Sequence, residues 1–226
     1  WFGGSVATAG DVDGDGYSDV IVGADLFSNG QSQEGRVFAY FGSASGLRLS
    51  FRWTRESNQA GAGMGISVGT AGDVNGDGFA DVIVGSPLYK NGQNAEGLAF
   101  LYLGSAAGPG ATASWSFEAD QASASVGTSV AGAGDVNGDG FGDVIVGANL
   151  FDNGQSDEGR AYLFPGSAAG LSDVPGLTAE SNQESSLLAF SLATAGDVNG
   201  DGYSDVIVGA PTFDNGQTDE GRAFVY

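Results

Sequence analysis

The sequence predicts an all-β chain built as a β-propeller. Three observations point there. The chain of 226 residues repeats with a fixed period of 62: Asp11, Asp73, Asp135 and Asp197 open the same loop, and Asn29, Asn91, Asn153 and Asn215 open the same "NGQ" turn. Each unit holds short runs of β-branched and aromatic residues separated by Gly, Asn, Asp and Ser. No stretch shows convincing helical periodicity. Short antiparallel strands repeated radially are the pattern of propeller blades.

The elements of the first unit follow in order. "SVATAG" (5–10) is a strand of small residues, suited to the crowded propeller axis, with counterparts "SVGTAG", "SVAGAG" and "SLATAG". "DVIVGA" (19–24) is a continuous apolar run, as in a strand covered on both faces. "RVFAYF" (36–41) is a third strand. "LRLSFRWT" (47–54) alternates apolar and polar residues and predicts a fourth, more exposed one. The Asp/Gly loop, "SNGQSQEG", "GSASG" and "ESNQAGAG" supply the turns.

The blade repeats run 1–62, 63–124, 125–186 and 187–226 and make one repeat domain. The last unit stops at Tyr226, which aligns with Tyr40, Tyr102 and Phe164, so its blade is expected to lack the fourth strand. Three closures stay open: a homodimer whose second chain completes the ring, a compact four-bladed ring, and an open fragment of a longer array. Trp1 already lies inside a repeat and no signal peptide is visible, as in a mature product or an excised piece.

Composition narrows the function. Net charge is −21, from 28 acids against 7 bases, which argues against nucleic acid and against an anionic membrane surface. No segment has the length of apolar residues that membrane insertion needs. There is no Cys and no His, which removes thiol or Ser-His-Asp catalysis and ordinary zinc sites. A cation is the natural counter-charge.

The repeated loop "D-x-D/N-x-D-G-x-x-D" places oxygen ligands on alternating residues of a tight curve, which is how calcium is held. The candidates are Asp11, Asp13, Asp15, the Tyr17 carbonyl and Asp19 in loop one, and Asp73, Asn75, Asp77, the Phe79 carbonyl and Asp81 in loop two. Loop three offers Asp135, Asn137, Asp139, the Phe141 carbonyl and Asp143; loop four offers Asp197, Asn199, Asp201, the Tyr203 carbonyl and Asp205. An EF-hand would carry a bidentate Glu at position 12, but Val22, Val84, Val146 and Val208 stand there, so the ninth-position Asp is expected to bind directly. About four Ca²⁺ are expected, one per repeat.

"FGGSVATAGDVDGDGYSDVIVGAD", followed by "EGRVFAYFG", resembles the FG-GAP repeat of integrin α-subunit propellers. "VIVGAP" (206–211) matches the GAP element, while the "FG" element survives only as Phe2-Gly3. The resemblance implies an integrin α-type β-propeller with calcium between the first and second strands of each blade. Integrin-type propellers have seven blades, whereas this chain carries four repeats.

In an up-and-down blade the calcium loops and "GSASG" turns share one face, and "DLFSNGQSQE" (25–34) and "ESNQAGAGMG" (56–65) share the other. The resemblance implies that this opposite face receives protein ligands. Phe27, Tyr89, Phe151 and Phe213 look exposed there. Every recurring acid belongs to a metal loop or a repeated turn, so no enzyme is expected. The expected function is a calcium-binding, extracellular binding or adhesion module with a protein or glycan ligand on the face opposite the calcium loops. The alternative is a multivalent lectin, as some fungal relatives are.

Overall fold

The computed structural model describes residues 1–226 and contains fifteen strands and no helix. The first sheet comprises β1 (Ser5–Gly10), β2 (Asp19–Ala24), β3 (Arg36–Tyr40) and β4 (Trp53–Glu56). The second comprises β5 (Ser67–Gly72), β6 (Asp81–Ser86), β7 (Leu98–Tyr102) and β8 (Trp115–Phe117). The third comprises β9 (Val126–Gly134), β10 (Asp143–Ala148), β11 (Arg160–Phe164) and β12 (Leu177–Glu180). The fourth has three strands: β13 (Ser191–Gly196), β14 (Asp205–Ala210) and β15 (Arg222–Val225). Every sheet is antiparallel and follows chain order, so the expected all-β blade is the one observed.

The strand that precedes each acidic loop ends in a bulge. The register slips between Thr8 and Gly10, between Thr70 and Gly72, and between Thr194 and Gly196. The Gly10 N–H donates to Thr8 Oγ1 at 3.2 Å, and the Gly72 N–H to Thr70 Oγ1 at 3.1 Å. The bulge bends the chain out of the ladder and aims it into the loop.

The fourth strand corrects the sequence reading. It begins at Trp53, not at residue 47, and runs to Glu56. The alternation of Leu47, Leu49 and Phe51 does not follow a ladder: Leu49 is 97% exposed, and Phe51 turns back to stack 5.3 Å from Phe38. Pairing starts where a buried tryptophan anchors the chain. The Trp53 indole donates to the Gly110 carbonyl of the next blade at 2.9 Å, and Trp115 to the Ser172 carbonyl at 3.1 Å.

The hydrophobic core lies between sheets. One cluster joins Ala9, Val12 and Ile21 of the first blade to Val68, Val82 and Val84 of the second. A second joins Ile83 and Leu101 to Val130 and Val144, and a third joins Ile145 and Leu163 to Val206 and Val208. The inner strands β1, β5, β9 and β13 stand side by side in that order. Four sheets thus enclose three cores, and β1 does not pack on β13 as it packs on β5. The compact four-bladed ring is therefore not formed: the blades make an arc with two free ends.

Candidate metal centre

Each acidic loop links the first two strands of a blade. In loop one a carboxylate oxygen from each of Asp11, Asp13 and Asp15 lies within 4.8 Å of the others, and these side chains reach solvent. Three like charges so close repel unless a cation or protons join them. Backbone donors hold the curve: Asp15 N–H and Gly16 N–H reach the two oxygens of Asp11 at 3.0 and 2.8 Å, and Tyr17 N–H reaches Asp15 at 3.0 Å. Loops two to four repeat this, with Asp73, Asp135 and Asp197 accepting from Gly78, Gly140 and Gly202. Their third position is an Asn, and the side-chain oxygens of Asn75, Asn137 and Asn199 accept from the N–H of Asp77, Asp139 and Asp201.

The ninth-position aspartates differ from that exposed group in being buried. Asp19, Asp81 and Asp143 are fully buried at the start of the second strand. Asp19 accepts from Val12 N–H at 2.9 Å and Gly42 N–H at 2.8 Å, one on each oxygen. Asp81 does the same with Val74 and Gly104, and Asp143 with Val136 and Gly166. Asp205 keeps the first of these contacts, from Val198 at 2.8 Å. One carboxylate therefore ties the acidic loop to the turn that follows the third strand. The glycine of that turn was not singled out in the sequence, although its constant offset from the Asp was a readable signal.

Burial raises the pKa of these carboxyls. Asp81 is pushed up to about 6 by desolvation, against the pull of the Gly104 and Val74 N–H groups, and the charges of Asp77 and Asp73 push the same way. Asp19 and Asp143 shift upward for the same reasons. Exposed Asp197 shifts downward, chiefly because the Gly202 N–H donates to it. A carboxyl raised in the folded state stabilises the fold most when protonated, and that contribution is lost as pH rises through the folded value. The metal-free chain is therefore expected to melt at a higher temperature at pH 5 than at pH 7. Thermal melts at pH 5, 6 and 7 in metal-free buffer check this, and a fall on acidification contradicts it.

Position seven supplies a contact that the sequence reading missed. The rings of Phe79, Phe141 and Tyr203 pack on Gly14, Gly76 and Gly138 of the preceding loop, where an added Cβ would meet a ring carbon at 2.6, 2.8 and 2.6 Å. These glycines have φ of +71°, +71° and +74°, so both space and backbone exclude a side chain. An aromatic residue at position seven of every loop was the available signal.

The face opposite is more occupied than its sequence suggested. Phe151 is buried, and Phe27, Tyr89 and Phe213 are half-buried. They stack edge-on against Phe38, Phe100, Tyr162 and Phe224 of the third strands. Arg36, Arg160 and Arg222 lie over these rings at 5.1, 4.1 and 5.5 Å from the centroids of Phe27, Phe151 and Phe213. A guanidinium over a ring shields the apolar face and keeps its own charge in water. Buried Glu34 and Glu158 accept from Asn29 and Asn153 N–H at 2.5 and 2.6 Å, and buried Glu96 accepts from Asn91 N–H. Gln59, Gln121 and Gln183 bond to the backbone of Lys90, Asp152 and Asp214 in the next blade. The recurring "NGQ", "EG" and Gln elements of this face thus hold loops and neighbouring blades together.

Comparison with known proteins agrees with this architecture. The FG-GAP repeat profile matches residues 2–40, 64–102, 126–164 and 189–226. Integrin alpha pat-2 of Caenorhabditis briggsae is 34% identical over 92% of this chain, integrin alpha-5 of Xenopus laevis 28% over all of it, and integrin alpha-V of Gallus gallus 37% over 66%. The chain spans 18%, 21% and 15% of the length of these relatives. Four matched repeats, arranged as an arc of antiparallel blades, show that this chain belongs to the FG-GAP repeat family of integrin α-type propellers.

Proposed function

We propose that the chain is a calcium-stabilised, non-enzymatic binding module of an extracellular, adhesion type. The observation that carries the calcium reading is the convergence of Asp11, Asp13 and Asp15. Its donors are all hard oxygen, the set that suits calcium and not a thiolate or imidazole metal. Positions one, three and five of each loop, the carbonyl at position seven and the buried Asp at position nine would hold the ion. Bound calcium would neutralise the clustered carboxylates and fix the hairpin between the first two strands. Titrating metal-free chain with CaCl₂ in a calorimeter is expected to show about four sites, and no heat at millimolar calcium removes the reading.

The adhesion reading rests on the relatives, which are integrin α-subunits. A protein ligand is preferred to a glycan because the aromatics on the face opposite the calcium loops, on which a sugar would stack, are engaged by arginines in three blades. A glycan array probed with the calcium-loaded chain is expected to stay blank, and reproducible binding to one sugar class reverses the preference.

A further inference from the structure

Asn-Gly steps recur at two places in the repeat. Asn75, Asn137 and Asn199 stand at position three of the acidic loops, and Asn29, Asn91 and Asn153 open the "NGQ" turns of the opposite face. An asparagine followed by glycine is chemically labile, because no Cβ crowds the glycine nitrogen as it closes a five-membered ring on the asparagine side-chain carbon. The dipeptide is the same in both places, but its surroundings differ.

Loop three assembles the groups that such a ring closure needs. The Gly138 N–H, on the attacking nitrogen, donates to Asp135 Oδ1 at 2.7 Å. The Asn137 side-chain oxygen, where negative charge develops, accepts from the Asp139 N–H at 2.9 Å. The departing Asn137 Nδ2 is held on Asp139 Oδ2 at 2.9 Å. Loop four repeats the first two contacts, from Gly200 N–H to Asp197 Oδ1 at 2.6 Å and from Asp201 N–H to the Asn199 oxygen at 2.9 Å. Both asparagines are exposed to water. Loop two keeps the donor to the Asn75 oxygen, at 3.1 Å, but Asp73 there accepts from Asp77 and Gly78 and not from Gly76. In the "NGQ" turns the side-chain amides of Asn29, Asn91 and Asn153 donate to Glu56, Glu118 and Glu180, and no carboxylate accepts from the glycine that follows.

We propose that loops three and four are self-modifying sites, at which Asn137 and Asn199 convert to aspartate and isoaspartate. The Gly138 nitrogen bonds to the Asn137 Cγ and gives its proton to the Asp135 carboxylate, while the Asp139 N–H stabilises the oxyanion. The Cγ–Nδ2 bond then breaks, and that proton, relayed through solvent, leaves with the nitrogen as ammonia. Water opens the resulting succinimide at either carbonyl. One opening gives Asp, which turns the loop-three sequence "DVNGDG" into the "DVDGDG" of loop one. The other gives isoaspartate, which routes the main chain through one extra methylene. Position three is also a proposed calcium ligand, so the test is run in chelator and does not depend on that reading.

Folded chain and denatured chain are held at pH 7 in chelator. Peptic digestion in acid, followed by mass spectrometry, then counts amide-to-acid conversion at each step. The steps are expected to react at similar rates in denaturant. In the folded chain Asn137 and Asn199 are expected to react at least about 10-fold faster than Asn91 and Asn153, with Asn75 between. Asp135→Asn is expected to slow Asn137 and to leave Asn199 unchanged. Asn137 and Asn199 reacting no faster than Asn91 and Asn153 overturns the proposal. An Asp135→Asn variant that keeps both the parent's circular dichroism and its rate at Asn137 overturns it as well.

Discussion

Removing calcium is expected to lower the melting temperature by about 20–40 °C. A ligand at one hundred times its dissociation constant stabilises the native state by about 2.7 kcal/mol per site. With a site in each loop, the sum is about 11 kcal/mol, comparable with the whole stability of an ordinary domain. A domain of this size shifts by about 2–4 °C per kcal/mol. The physical source is the crowding of Asp11, Asp13 and Asp15, whose mutual repulsion returns in the metal-free state. The chain's net charge of −21 acts in the same direction. Calorimetric scans in millimolar calcium and in chelator measure the difference, and coincident transitions dismiss a stabilising role for the ion.

The largest expected effect of a single substitution is at Asp81. Asp81→Ala removes the acceptor for both Val74 N–H and Gly104 N–H, in a site closed to water. Each buried donor left unpaired costs about 1–3 kcal/mol, so the loss is about 2–6 kcal/mol. At pH 7 the lower end is expected, because the ionised carboxylate is itself disfavoured by burial. The loss should persist in chelator, since it arises from backbone donors and not from an ion. Asp77→Ala is the contrasting case: its carboxylate is exposed and accepts only from groups within its own loop, the Phe79 N–H and the Asn75 side-chain amide. That variant is expected to melt close to the parent in chelator and to fall behind it in calcium. If Asp81→Ala and Asp77→Ala behave alike in both buffers, the clamp has no role separate from the metal.

Much of this architecture could be read directly from the chain. The first two strands of each blade follow from β-branched runs placed at a constant interval, and Ser5–Gly10 and Asp19–Ala24 lie where they were expected. The fourth strand was misplaced because the alternation of Leu47, Leu49 and Phe51 imitates a ladder that the backbone does not form. Acids at the loop positions were legible because short side chains on alternating residues leave a pattern in sequence. Their backbone partners left a weaker trace: Gly42 and Gly104 keep a constant offset from Asp19 and Asp81, but only the folded chain shows that their N–H groups reach those carboxylates. Phe27 and Phe151 looked free because they stand in loops, and nothing local says that Arg36 and Arg160 will cover them.

The placement of the cores between sheets has a consequence for how the molecule is assembled and inherited. The unit that is duplicated in the sequence is one blade, but the unit that folds is the seam between two. A single 62-residue repeat expressed alone owns two half-cores and no complete one, so it should behave as an unfolded polypeptide. Each added repeat brings one more seam, and cooperativity travels from neighbour to neighbour as in a one-dimensional lattice. Amides of β6 and β10, which face a core on both sides, should exchange with solvent slowest, and those of β2 and β14, which face one, markedly faster. Whole repeats can thus be gained or lost with the joint chemistry intact, whereas a break within a seam disables two blades together.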